Sequence, residues 1–284
     1  MTAKEKDQFF TKPEIARECV NIVKSFVDIP NALWLDPCAG AGAFYDAFPT
    51  DNKVGMDLDP KRKEFKQQDF MSFEPKFKEP VITVTNPPFG SYSKDAFIFL
   101  TDSMQFSEVV GMLLPSSFDN YAQQRRLPEE WKLNFNQWVT PNAFTLEGKD
   151  YPLRCTFQVW AKTGANLRYT EFFPRKNTDK VQLVLDGGVA TGEQRKVSHR
   201  ILDYDYAVPW WACNRETLTR QEAQSLKVCT NYFLVKSNLD LKKLHASINI
   251  EDAACFGQSN APCVRWMDYA AVLDGKKFNR IGDK

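Results

Sequence analysis

The chain has 284 residues, with 37 Lys and Arg against 36 Asp and Glu, a formal net charge of +1 and 43% hydrophobic residues. This composition excludes a disordered polyelectrolyte, and no apolar run approaches the length of a membrane-spanning helix. Aromatic residues, at 13%, supply core material for one large domain or for a medium and a small one.

The opening segment, MTAKEKDQFF, is charged where a secretory signal would be apolar, which predicts a reducing, cytoplasmic location with free thiols. Ile15, Cys19, Ile22, Val23 and Phe26 recur at spacings of three and four, so the spacing predicts an amphipathic helix over 13–27, begun by Pro13. Ala32 to Leu35 reads as a short buried strand, stopped by Asp36-Pro37 and a glycine-rich turn. Further strands are expected at 53–57, 81–85, 109–114 and 155–161, with helices at 41–48, 60–67 and 93–106. Strands separated by helices predict an α/β fold with a mainly parallel sheet wound on both faces, over residues 1–165.

Beyond about 165 the pattern changes to short strands, 181–185 and 232–236, and helical stretches near 215–226 and 238–246, which predicts a smaller α+β module over 166–284. Residues 1–165 carry 19 basic against 22 acidic side chains, whereas 166–284 carry 18 against 14. The back part is therefore the more cationic, a weak pointer to a polyanionic partner. Seven cysteines contain no CxxC pair and only two histidines accompany them, so no metal site is expected.

In open parallel sheets ligands lie outside the carboxyl ends of the strands, so the residues that end each strand carry the functional reading. The first strand ends in Asp36-Pro37-Cys38-Ala39-Gly40-Ala41-Gly42, where Gly40 and Gly42 let backbone approach a ligand closely. Ala43, Phe44 and Tyr45 follow where a dinucleotide turn wants its third glycine, so a nucleoside without pyrophosphate fits better. Asp57, at the end of the second strand, is placed to accept both hydroxyls of a ribose, while Asp59 reads as a turn residue before Pro60. Gln68-Asp69-Phe70 offers an acceptor for an exocyclic amine and an apolar wall for a purine.

The most specific signal is Asn86-Pro87-Pro88-Phe89, at the exit of the strand 81–85. Two prolines cannot continue a hydrogen-bond ladder, and they fix the direction of the carbonyls around them. The lone pair of an aromatic amine is delocalised into its ring. If the Asn86 side-chain carbonyl and the Pro87 backbone carbonyl each accept one of its N–H groups, the nitrogen is drawn toward tetrahedral geometry and its lone pair can face an electrophile. Phe89 would stack on the ring.

With these residues in this order, the chain resembles the S-adenosylmethionine-dependent N6-adenine DNA methyltransferases in which an N-terminal motif precedes the glycine loop. The likeness covers about residues 7–165 and rests on Gln8 to Pro13, Asp36 to Phe44, Gly55 to Pro60, Gln68 to Phe70 and Asn86 to Phe89. It implies a Rossmann-like class I methyltransferase fold with S-adenosyl-L-methionine as cofactor. Phe10 and Thr11 would lie by the methionine moiety, Asp36 near its amino group, Asp57 on the ribose, and Asp69 and Phe70 at the adenine ring. It also implies that a target base is rotated out of the duplex and held between aromatic faces, with Phe89 as one face and Phe144 as the other, and Phe157 as a rival more consistent with core. The aromatic after Pro-Pro is often Tyr in that family, where this chain has Phe89.

Arg125 and Arg126, after the strand exit at 115–119, are candidates for phosphate contact, and Trp210-Trp211 for stacking. The expected partner is nucleic acid, most consistently DNA, with no membrane association. An RNA adenine methyltransferase, a protein glutamine methyltransferase and a silent cofactor-binding scaffold are the competing readings.

Overall fold

A computed structural model describes residues 9–168, 181–186, 202–209, 216–226, 232–247, 254–256, 262–264 and 281–282. It divides into two compact units, Met1–Phe172 with Asn279–Lys284, and Phe173–Phe278. The sequence pattern predicts a boundary at residue 165 with 279–284 in the second part, whereas the C-terminal segment belongs to the first unit.

In the first unit β1 (Phe10–Thr11) leads into α1 (Pro13–Phe26). Proline at the first helical position leaves no N–H to satisfy, and the helix buries Ile15, Ala16, Cys19, Val20 and Val23 along one stripe. Then follow β2 (Leu33–Asp36), α2 (Ala43–Ala47), β3 (Lys53–Asp57), β4 (Lys66–Gln67), β5 (Val81–Thr85), α3 (Lys94–Phe106) and β6 (Val109–Pro115). The unit continues with α4 (Tyr121–Gln124), β7 (Lys132–Trp138), β8 (Phe144–Leu146), β9 (Lys149–Tyr151) and β10 (Cys155–Ala161).

Among the described residues seven strands form one sheet in the order β4-β3-β2-β5-β6-β10-β7. The strands from β2 to β6 pair in parallel, while β10 runs antiparallel to both β6 and β7. β2, β5, β6 and β10 are buried along their whole length, as continuous apolar strands covered on both faces must be. This order, with an antiparallel strand inserted between the last parallel strand and the edge, is a Rossmann-like class I methyltransferase fold. The chain turns back between β2 and its neighbours β3 and β5, so the ligand crevice belongs at the carboxyl ends of those three strands.

Two local expectations change. Residues 60–65 form turns and bends instead of a helix, and 66–67 become the edge strand β4. Tertiary contacts override the local preference: Arg62 holds Asp46 through two 2.6 Å hydrogen bonds, and the Phe65 ring packs edge-on to Tyr45 with centroids 5.1 Å apart. Residues 144–151 form the hairpin β8-β9, which adds β1 to make a separate three-stranded sheet.

Beyond β10, Arg168 binds the carbonyls of Gln124, Leu127, Pro128 and Trp131, fastening the segment between α4 and β7. Ile281 is buried and bridges Val139, and the Gly282 N–H donates to Glu18 on α1.

The second unit contains β11 (Val181–Asp186), β12 (Tyr206–Pro209), β13 (Leu218–Thr219), α5 (Arg220–Ala223), β14 (Tyr232–Ser237) and α6 (Leu241–Ser247). Its antiparallel sheet has the order β11-β14-β12-β13, over a small core of Tyr204, Ala207, Ala223, Tyr232 and Leu234. A capping box at Thr219 and Glu222 starts α5. β15 (Ala254–Phe256) and β16 (Pro262–Val264) form a hairpin. Trp210-Trp211 lies outside the described residues. No helix among the described residues is long and apolar enough to cross a membrane.

Candidate active site

A cavity of about 440 Å³ opens beyond the carboxyl ends of β2, β3 and β5, and Phe10, Thr11, Asp36, Gly40, Asp57, Asn86 and Pro88 line it together. Its size lies within the range of small-ligand sites. Three strand ends and the N-terminal motif, separate in sequence, thus converge on one space.

The glycine turn forms the floor. Gly40 and Gly42 have φ of +51° and +97°, a region that side chains rarely adopt. A Cβ on Gly42 would lie 2.5 Å from the Arg62 guanidinium carbon, and one on Gly40 would press the Phe10 ring at 3.3 Å. The turn is therefore clamped between Arg62 and Phe10, and Arg62 holds the Asp46 carboxyl below its ordinary range. The Gly40 N–H donates to Asp57 Oδ2 at 2.7 Å, and the Asp59 N–H to Asp57 Oδ1 at 2.9 Å. In a phosphate-binding turn such N–H groups face the ligand, whereas here the Gly40 donor is taken by a carboxylate. Each Asp57 oxygen keeps a further acceptor position, which suits a diol.

Asp36 is 1% exposed. Its Oδ1 accepts from Thr85 Oγ1 at 2.7 Å and from the Cys38 N–H at 3.3 Å, while Oδ2 is buried without a partner among the described residues. Burial pushes Asp36 up to about 7, helped by the charge of Asp57 and opposed by its two hydrogen bonds. Burial, then the charges of Asp57 and Asp36, raises the Cys38 thiol, so this cavity-lining sulfur is no thiolate nucleophile. Asp36, Asp57 and Asp59 line the cavity with a single lysine, Lys61, which pairs with Asp59 at 2.6 Å. The charge balance suits a cationic ligand and opposes a polyphosphate.

Asn86 supplies the other wall. Its Nδ2 donates to the Phe9 carbonyl at 3.0 Å, and its Oδ1 is buried with no partner among the described residues. The assignment of the amide follows from chemistry, since rotation would set two carbonyl oxygens against each other. Phe9 is held in turn, its ring stacked on Tyr151 with centroids 5.0 Å apart. The Lys12 N–H donates to the Ala143 carbonyl at 2.9 Å, and its ammonium pairs with Asp150 at 2.8 Å. The hairpin β8-β9 therefore fixes the segment that orients Asn86.

Other expected site residues do not face the cavity with their side chains. The Pro37 and Pro87 rings are buried in turns whose neighbours Cys38, Asn86 and Pro88 line it, and Gly42 acts behind the floor. Neither Asp69 nor Phe70 lines the cavity: Asp69 caps a short turn by accepting the Met71 N–H at 3.0 Å, and Phe70 is buried in a stack on Phe99 with centroids 4.6 Å apart. The structure corrects the reading of Phe144 as an open aromatic face, because its side chain is 0% exposed and its backbone pairs with Thr11. Phe89 is likewise packed in the core. Phe157 is buried, as its place on an alternating strand suggests. Arg125 and Arg126 are exposed after α4, with the Arg126 guanidinium 3.9 Å from the centroid of Phe97.

Sequence reasoning missed Leu58, which lines the cavity although it is 68% exposed. Its signal was available: an apolar residue beside a strand-end carboxylate forms a ready wall for a purine.

No protein-family profile and no curated protein sequence matches the chain. Among solved structures it is similar to a protein assigned as the modification subunit of a type I restriction enzyme from Vibrio vulnificus YJ016, at 14% identity and a TM-score of 0.43, covering 56% of this chain and 45% of that one. It is also similar to the M protein of the type I restriction enzyme EcoKI, at 15% identity and a TM-score of 0.41, covering 53% and 43% respectively. A third similar structure is the 23S rRNA methyltransferase ErmE, at 16% identity and a TM-score of 0.37, covering 57% of this chain and 72% of that one. The match thus spans less than half the length of the two restriction-system proteins, and the fold assignment rests on this chain's own strand order.

Proposed function

We propose that the chain transfers a methyl group from S-adenosyl-L-methionine to the N6 amine of adenine in DNA, with the target base turned out of the helix. The observation that carries this reading is the Asn86 amide, pinned through its nitrogen to the Phe9 carbonyl with a buried oxygen that has no partner among the described residues. An acceptor held in that way, next to an acidic pocket, matches the demands of alkylating a conjugated amine.

When bound, the cofactor supplies an electrophilic methyl group on a positively charged sulfur. The chain's own residues would hold it in a consistent order. Asp36 Oδ2 would receive the amino group, Asp57 the ribose hydroxyls, Leu58 the purine face, and Phe10 and Thr11 the methionine end. The buried oxygens of Asp36 and Thr11, without a partner among the described residues, support this fit, since an unpaired buried polar atom costs roughly 1–3 kcal/mol until a ligand satisfies it. Asn86 Oδ1 and the Pro87 carbonyl would accept the two N–H groups of the substrate amine, holding its lone pair toward the cofactor. Catalysis of this kind is positioning and electrostatic stabilisation, with no strong base required.

The test is Asn86→Ala, assayed with labelled cofactor on duplex DNA, single strands and structured RNA, beside calorimetric cofactor binding. Methylation should fall by roughly 10²–10³-fold, as for loss of one preorganised polar contact, with cofactor affinity nearly unchanged. Equal loss of both would assign Asn86 to the cofactor pocket, and modification of RNA alone would replace the DNA reading.

A further inference from the structure

The loop after Asn86-Pro87-Pro88-Phe89 is Gly90-Ser91-Tyr92-Ser93, and it is strained. Gly90, Tyr92 and Ser93 all have positive φ, at 66°, 55° and 62°, the last two in the left-handed region that L side chains avoid. Such conformations cost of order 1 kcal/mol or more each and persist where the surroundings enforce them. Here the buried Ser93 Oγ lies 3.2 Å from Ser117 Oγ, at the exit of β6, which ties the loop to the neighbouring strand end. Among the described residues the strained tyrosine has no corresponding contact, and its side chain stands 93% exposed. A large aromatic ring left in water on a locally costly backbone gives the fold nothing.

The chain on either side of Tyr92 points to a ligand. Four residues earlier Pro88 lines the cavity, the adjacent Ser93 reaches Ser117 at the exit of β6, and five residues later Phe97 carries the Arg126 guanidinium on its face. An exposed aromatic after β5 and an exposed cation after β6 thus stand on segments joined by these contacts, and a protein that holds single-stranded nucleic acid combines those same two groups. With Phe89 and Phe144 packed inside, Tyr92 is the open aromatic next to the Asn-Pro-Pro turn among the described residues.

We infer that Tyr92 is a substrate-binding residue whose ring stacks on a nucleobase at the mouth of the cavity, with Arg126 on the adjoining phosphate. This rests on the proposed function and deepens it by assigning the stacking face. The backbone strain serves to aim the ring outward.

Tyr92→Ala, Tyr92→Phe and Tyr92→Trp, in the full chain, test it through KM and kcat on an adenine-containing oligonucleotide, oligonucleotide affinity by anisotropy, cofactor affinity and Tm. The alanine variant should raise KM and Kd for the oligonucleotide roughly tenfold or more, and Phe and Trp should restore both. Cofactor affinity should not change, and Tm should hold or rise as a smaller side chain leaves the strained position. Unchanged KM and Kd in Tyr92→Ala, with an active parent chain, would overturn the stacking role. So would a fall in Tm and cofactor affinity together, which marks a structural residue. A parent chain that neither binds nor methylates nucleic acid would overturn the functional reading itself.

Discussion

The two ends of the candidate site are built differently. At the proposed cofactor end Phe10, Thr11, Asp36, Gly40 and Asp57 line one cavity, and nearly every group is fixed by a hydrogen bond or a packed neighbour. At the proposed substrate end the aromatics expected to grip a base are core residues, and the groups facing solvent, Tyr92, Arg125 and Arg126, lie on loops. A small ligand that does not vary rewards a preformed pocket, whereas a long polymer that must be bent or opened is met by groups on a rim. Strand-end residues therefore converge on the cavity, while the rim is built from loop residues that strand ends do not mark.

Mutations that separate the two ends sharpen this contrast. Phe144→Ala should cost about 3–5 kcal/mol of stability in urea unfolding, because it removes a fully buried ring under β1. A loss of substrate affinity with stability intact would return Phe144 to the substrate end. Asp57→Ala, which strips the acceptor from two backbone N–H groups, should weaken cofactor binding about 10- to 100-fold by calorimetry while leaving oligonucleotide affinity nearly unchanged. Equal weakening of both ligands would mean the ends are not separable.

A subtler effect concerns pH. The Asp36 carboxyl is ordinary at 3.8 in the unfolded chain and about 7 when buried, so the free protein loses stability as pH rises between those values and levels off above them. A cationic amino group needs the ionised form, so cofactor affinity should increase from pH 6 to pH 8 and flatten thereafter. In Asp36→Asn that increase should vanish, and a surviving slope would assign the titration to another group. Smallest of all, Arg126→Ala should lower the salt dependence of oligonucleotide binding by about one unit of slope, with cofactor binding untouched.

Much of the fold was readable because its central strands are unbroken apolar runs: Val81 to Thr85 and Val109 to Pro115 are buried at every residue. The strand β7 was not, since its sequence KLNFNQW is polar. Asn136 turns inward to donate to Asp119 at 2.6 Å and to accept from Thr156 at 2.5 Å, a network that no hydrophobic pattern announces. The 60–67 stretch misled in the opposite sense, with helix-forming residues whose shape is set by Asp46 and Tyr45. Within the site, Asp36, Asp57 and Asn86 meet at one cavity because strand ends converge by topology. Spacing misjudged the exposure of Phe144, since order along a chain does not reveal which side of a ring is covered. Tyr92 escaped notice because its distinction is a backbone torsion.

The bond from the Asn86 amide to the Phe9 carbonyl joins the cavity-lining segment Phe9 to Thr11, proposed for the cofactor, to the amide proposed to meet the substrate. Any ligand that steadies the first therefore narrows the rotations open to the second, so one occupant lowers the entropic penalty for the other, and by reciprocity the reverse holds. If the proposed function holds, the small molecule should load first, and the oligonucleotide should be held more tightly by the cofactor-loaded protein than by the empty one.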